Sequence, residues 1–124
     1  MGILAIRINR LALRAAVPQA KFDYTKCPVH ERLKQARMAR NISQRSLGIA
    51  AGIDAASASA RMNQYERGKH VPDYDTLNQL AQVLNVPVPF FYANDEDAAF
   101  MLNMAALSEA QQTLVKALVQ RINF

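Results

Sequence analysis

The chain has 124 residues, 51% of them hydrophobic and 20% charged, with 7% aromatics and no Trp. That balance describes one small globular unit with an aliphatic core, and it excludes a disordered chain, a collagen-like repeat and most multi-domain enzymes. Fifteen Lys and Arg stand against ten Asp and Glu, a formal net charge of +5, which favours a polyanion partner such as nucleic acid or an anionic membrane.

The positive charge is concentrated early in the chain. Residues 1–28 hold five cations and one anion, residues 29–92 eight and five, and residues 93–124 two and four. In the first segment Arg7, Arg10 and Arg14 recur at a helical interval among Ile3, Leu4, Ile6, Ile8, Leu11 and Leu13. Leu11 and Ile3 fall beside the arginines on a helical wheel, which disfavours an amphipathic membrane helix, and Ile6-Arg7-Ile8-Asn9 alternates like a strand. Arginines also interrupt the apolar run that a secretory signal requires. The expectation for 1–28 is a basic N-terminal extension, loosely docked, with Pro18 and Pro28 bracketing a linker. No stretch approaches the ~18 apolar residues of a membrane span. The single cysteine, Cys27, excludes an intramolecular disulfide and fits a reducing cytoplasm.

From Val29 the helical signals sharpen. Val29, Leu33 and Ala36 predict a first amphipathic helix ending near Asn41, with Arg32, Lys34, Arg37 and Arg40 on its other faces. Ser43 is a good N-cap for a second helix, Gln44 to Ala51, which Gly52 closes. After a turn at Ile53-Asp54, a third helix carries Ala58, Met62 and Tyr65 on its buried face and stops at Gly68. Pro72 and Asp73 open a fourth helix with the stripe Leu77, Leu80, Ala81 and Leu84, ended by Asn85 and Pro87. A short fifth helical turn contains Pro89, Phe90, Phe91 and Tyr92. In the remainder, Asp95, Glu96 and Asp97 suit a helix N-terminus ahead of Phe100, Met101, Leu102 and Met104. Ser108 can cap a last helix whose Ala110, Leu114, Val115, Leu118, Val119 and Ile122 make a wide apolar stripe. The reading is an all-α chain divided into 1–28, 29–92 and a C-terminal helical appendage at 93–124.

Enzyme chemistry finds no support. Cys27-Pro28-Val29-His30 is half of a metal site without a second half, and the only other histidine is His70. The four glycines, at 2, 48, 52 and 68, are too scattered for a phosphate-binding loop. No catalytic residues, cofactor or metal are expected.

Five short helices in the middle of the chain, with a helix, a glycine-containing turn and a second helix among them, suggest a helix-turn-helix. At these residues the chain resembles the phage repressor and Cro type of helix-turn-helix, the XRE family. The likeness is carried in order by Arg32-Leu33, Arg37, Asn41-Ile42-Ser43-Gln44, Leu47, Ala51-Gly52-Ile53, Tyr65-Glu66-Arg67-Gly68-Lys69, Pro72, Leu77, Leu80-Ala81 and Leu84-Asn85-Val86. Two features depart from the family pattern. Gly48 stands where Ala is usual, which weakens the helix but allows closer packing of helix three. The segment from Gly52 to Tyr65 is longer by about four residues, one helical turn, so either helix three begins earlier with Asp54 as its cap or the turn is a longer loop.

With Met62 and Tyr65 facing the core, Ser59, Ala60, Asn63 and Gln64 point the other way and Arg61 lies at the flank. Asn and Gln suit adenine, Arg suits guanine, Ser is adaptable, and the Ala60 methyl can meet thymine. The resemblance implies base reading by Ser59, Ala60, Asn63 and Gln64. It also implies a phosphate contact at Gln44, with Arg67, Lys69 and His70 holding the strand beyond helix three and Arg45 as a further candidate. Arg32 keeps the reading of a solvated surface cation, and Arg37 could pair with Glu66. The implied function is sequence-specific binding of double-stranded DNA by a cytoplasmic transcriptional regulator, a repressor acting as a homodimer through the last helix. An antitoxin or other protein-binding adaptor with autoregulatory DNA binding is the alternative, and a membrane-surface protein using the arginine-rich start is a third.

Overall fold

Residues 26–122 are described by the computed structural model. The arginine-rich segment, and the linker bracketed by Pro18 and Pro28 as far as residue 25, lie outside the described residues. The described chain forms six α-helices: α1 (Val29–Ala39), α2 (Gln44–Ala50), α3 (Ala58–Glu66), α4 (Tyr74–Leu84), α5 (Asp95–Ala106) and α6 (Glu109–Ile122). A 3-10 turn, Val88–Tyr92, joins α4 to α5, and there is no strand among the described residues.

Side-chain caps fix most of the helix starts. Ser43 accepts from the Ser46 amide at 3.0 Å and Asp73 from the Thr76 amide at 2.8 Å, each meeting a donor that the first turn leaves unpaired. The bond from Thr76, reinforced by the charge of Arg61, holds the Asp73 carboxyl below its ordinary value. Asn94 caps α5 by accepting from the Asp97 amide at 2.7 Å. The acidic run Asp95-Glu96-Asp97 therefore forms the first turn behind a cap. Ser108 and Gln111 bond reciprocally at the start of α6, the Ser108 hydroxyl accepting from one amide and the Gln111 carbonyl from the other. At the far ends, Asn41 and Asn85 adopt left-handed backbone at φ 54° and 55°. Asn tolerates that conformation, so α1 stops at Ala39, two residues short of the expected Asn41.

The core is closed by the first four helices and the 3-10 turn. Leu33, Leu47, Met62, Leu80 and Leu84 are fully enclosed, and Phe90 and Phe91 plug the base with their rings edge to face, centroids 5.6 Å apart. Two arginines of α1 cross-link this unit. Arg37 forks onto Glu66 at the end of α3, at 2.7 and 3.0 Å, and its third nitrogen donates to the Ile42 carbonyl at 2.9 Å. The second, Arg32, corrects the surface reading made for it, because it is buried. Its Nε donates to the Ala93 carbonyl at 2.9 Å, Nη1 to Gln35 at 2.6 Å and Nη2 to Asp95. The 93–95 segment has a carbonyl and a carboxylate to satisfy where it turns into α5, and the fixed donor fork of Arg32 meets both.

Beyond the core, burial falls away. In α5 only Ala98 is buried, with Met101 and Leu102 packed partly against the domain. In α6 nothing is buried. Gln112 of α6 donates to the carbonyls of Met104 and Leu107 and so ties the two helices at their turn. An open groove of about 690 Å³ remains between α4, the Val86–Val88 linker, α5 and α6.

Candidate nucleic-acid interface

The candidate interface is built on α2 and α3, whose close contact depends on Gly48. A Cβ at Gly48 would lie 3.0 Å from both the Ala58 Cβ and the Met62 Cγ, so the missing side chain lets α3 lie directly on α2. The turn between them begins at Gly52, with φ 91°, a left-handed backbone that glycine accepts freely. The extra residues after it form a loop. The Ser57 amide donates to the Asp54 carbonyl at 3.0 Å, and the first helical bond of α3 runs from Arg61 to Ser57. Asp54 is thus not the cap of an early helix three, and the longer-turn alternative is the one observed. Ser57 occupies the cap position without capping, since its hydroxyl turns back to the Asp54 carbonyl.

On α3 the helical period divides the side chains as expected. Ala58, Met62, Tyr65 and Glu66 are buried, while Ser59, Ala60, Asn63 and Gln64 are exposed together on the opposite face. Among the described residues, the side chains of Ser59, Asn63 and Gln64 form no hydrogen bond with the protein, so their donors and acceptors remain open for a ligand. Arg61 is also exposed but is engaged: Nη2 donates to the Tyr65 hydroxyl at 2.9 Å, and the guanidinium lies 5.9 Å from that ring's centroid. It borders a cleft shared with Asp75, Thr76 and Gln79 of α4. The face therefore brings four of the five candidate base readers together and directs the head of the fifth to the flank.

The candidate phosphate contacts fall at two places. Gln44 and Arg45 occupy the first turn of α2, Gln44 half-buried and Arg45 exposed. Arg67, Lys69 and His70 are exposed in the turn that closes α3. There the amides of Lys69 and His70 fold back onto the Gln64 carbonyl, at 3.0 and 3.4 Å, and Gly68 takes φ 74°. The sequence reading missed His30 as part of this edge. Its ring lies against Gly68, 3.4 Å from where a Cβ would stand, and its Nδ1 donates to the Cys27 carbonyl at 3.0 Å. No local pattern could reveal this, because α1 and the α3–α4 turn meet only in the folded chain. Cys27 is a free, exposed thiol, and no three metal-ligating side chains gather among the described residues. No helix among them is long and apolar enough to cross a membrane.

Residues 31–89, from α1 through the 3-10 turn, match the model of a helix-turn-helix domain. No curated protein matches the chain in sequence. Among solved structures, a crystal structure of the transcriptional regulator BswR is similar at a TM-score of 0.65 and 39% sequence identity, covering 74% of this chain and 92% of that one. The likeness thus extends over more of the chain than the helix-turn-helix domain alone, and the chain belongs to the helix-turn-helix family of transcriptional regulators.

Proposed function

We propose that the protein binds double-stranded DNA sequence-specifically as a homodimer and represses transcription by occupying promoters in the cytoplasm, in the manner of the phage repressor and Cro type. The observation that carries this reading is the open polar face of α3. Ser59, Ala60, Asn63 and Gln64 stand exposed on a helix whose other side is locked into the core. Laid in a major groove, that face offers amides for adenine and a methyl for thymine, with Arg61 able to swing from Tyr65 toward guanine. Gln44 and Arg45 on one side, and Arg67, Lys69 and His70 on the other, would hold the two phosphate strands.

The homodimer rests on α6. Leu114, Leu118, Val119 and Ile122 are all exposed on it, a stripe that a two-fold partner would cover. Two recognition helices would then lie about 34 Å apart, and the operator would be an inverted repeat with half-site centres about 10 base pairs apart. The same apolar stripe fits a second reading, in which it grips a different protein as an antitoxin or adaptor does. Light scattering on the purified chain separates them: a dimer mass supports self-association, and a monomer mass at high concentration supports the adaptor.

Selection of binding sites from random duplexes tests the main reading, with an inverted repeat expected and no enriched sequence as the contrary result. On the selected site, Gln64→Ala should weaken binding by about 1–3 kcal/mol while leaving random DNA nearly unaffected, whereas Lys69→Ala should weaken both.

A further inference from the structure

The groove between α4 and the C-terminal pair of helices has no part in the proposed DNA contacts. Its volume of about 690 Å³ is that of a small-molecule site. Val86, Val88, Met101 and Met104 give it an apolar floor, and methionines adapt to the shape of a guest. Along the α4 wall stand Asn78, half-buried, and Gln82 and Asn85, exposed, whose side-chain amides form no hydrogen bond with the protein among the described residues. Lys116 of α6 is the one charged residue in the lining, and no acid there meets it. None stands three or four residues away along α6, and none of the ion pairs among the described residues includes Lys116. The acids of this part of the chain lie instead in the first turns of α5 and α6, at Asp95, Glu96, Asp97 and Glu109.

From this lining we infer that the groove binds an amphipathic monocarboxylate, a small molecule with one carboxylate and an aliphatic or aromatic body, and that its occupancy acts on the dimer. The carboxylate meets the Lys116 ammonium, the amides of α4 offer further donors, and the body lies on Met101 and Met104. One unanswered cation beside an apolar floor selects one anionic head. The apolar stripe of a second copy is a poorer occupant, because it would cover the ammonium and three amides without offering them a partner. The groove also separates α6 from the rest of the molecule: α6 has no buried residue, and its Gln112 and Lys116 face α4 across this space. A guest held by both walls fixes α6 against the helix-turn-helix unit. At about 100° per residue, Leu114 and Leu118 lie on the opposite side of α6 from Gln112 and Lys116, so a guest and a partner subunit can be held at once. The binding stands without the proposed DNA reading, whereas its effect on the spacing of two recognition helices rests on that reading.

The probe is sodium decanoate, added to the full chain labelled with carbon-13 in its methionine methyl groups and followed by NMR. Met101 and Met104 should shift to saturation, while Met38, exposed on α1, and Met62, enclosed in the core, stay still. Lys116→Gln should weaken decanoate binding about fivefold and Lys116→Arg should retain it, and 1-decanol should bind the parent about fivefold more weakly than decanoate does. Equal affinity of the parent and Lys116→Gln would overturn the carboxylate assignment, as would decanol binding as tightly as decanoate. Shifts at Met38 in step with Met101 would overturn the site as general adsorption, and no shift at Met101 or Met104 up to the solubility limit would overturn it outright. Shifts of Met101 and Met104 that follow protein concentration and ignore decanoate would give the groove to a second copy instead. On DNA, saturating decanoate should change the affinity for the full inverted repeat and leave a single half-site unaffected; an unchanged inverted repeat would overturn the effect on the dimer. Failure of the DNA-binding reading looks different: no duplex would be selected, while the methionine shifts and their dependence on Lys116 would still support the site.

Discussion

The helix-turn-helix unit and the C-terminal pair of helices have comparable apolar content but use it in opposite ways. In the first, the stripes of α1, α3 and α4 converge, and Phe90 and Phe91 close the space that remains. In the second, Phe100 is 59% exposed and Ile122 82% exposed, and α6 contributes no buried side chain. An amphipathic stripe in a sequence therefore states that a helix has a face to cover, without stating what covers it. The small domain closes its core with four helices, the 3-10 turn and Ala98 of α5, and among the described residues nothing covers the apolar face of α6.

The largest expected effect tests that contrast directly. Phe90→Ala removes a ring with no solvent exposure and should destabilise the chain by about 3–5 kcal/mol. Leu118→Ser, on α6, should change the unfolding of the dilute chain by less than ~0.5 kcal/mol and act on self-association instead. Urea unfolding at two protein concentrations reads both quantities. A loss above ~2 kcal/mol for Leu118→Ser in dilute solution would mean that α6 belongs to the folding unit after all.

The two bridging arginines of α1, Arg32 buried and Arg37 half-buried, sharpen the same comparison, since one binds within the first region and the other reaches the second. Arg37→Ala strands the Glu66 carboxylate, whose side chain is only 3% exposed, and should cost about 3–5 kcal/mol. Arg32→Ala frees Asp95, which at 94% exposure is already hydrated, and loses chiefly the bond to the Ala93 carbonyl and the packing of the arginine stem. Its cost should be about 1–2 kcal/mol. Equal losses for the two variants would show that the joint at 93–95 is as integral to the core as the fork between α1 and α3.

What was legible in the sequence, and what was not, follows from the range of each interaction. The caps at Ser43, Asp73 and Ser108 act over three residues, so residue type and spacing reveal them. The buried stripes of α3 and α4 act over one or two turns and are equally plain, which is why the exposed set on α3 emerged with them. Arg32 pairs across some sixty residues with Asp95 and Ala93, and within α1 nothing distinguishes it from a surface cation. The junction of His30 with Gly68 is hidden for the same reason. The loop after Gly52 was ambiguous because Asp54 suits both a helix cap and a turn, and the first helical bond of α3, from Arg61 to Ser57, decides for the longer turn.

A smaller effect within the core concerns Gly48, where two terms of similar size compete. Replacing glycine by alanine inside a helix is worth about 1 kcal/mol from backbone entropy alone. Against that gain, the new methyl would stand 3.0 Å from the Ala58 Cβ and the Met62 Cγ and 3.3 Å from the Ala58 carbonyl oxygen. The Met62 side chain can rotate, although it is fully enclosed. Ala58 cannot, because it is the first residue of α3 and moves only if the whole helix moves. Overpacking of this kind costs about 1–3 kcal/mol, so Gly48→Ala should lower stability by about 1 kcal/mol net and Gly48→Val by more. A melting midpoint for Gly48→Ala equal to or above that of the parent would show that α3 shifts readily on α2. Such a displacement would also move the open face of α3, so in that case the affinity of Gly48→Ala for the selected operator should fall although its midpoint does not.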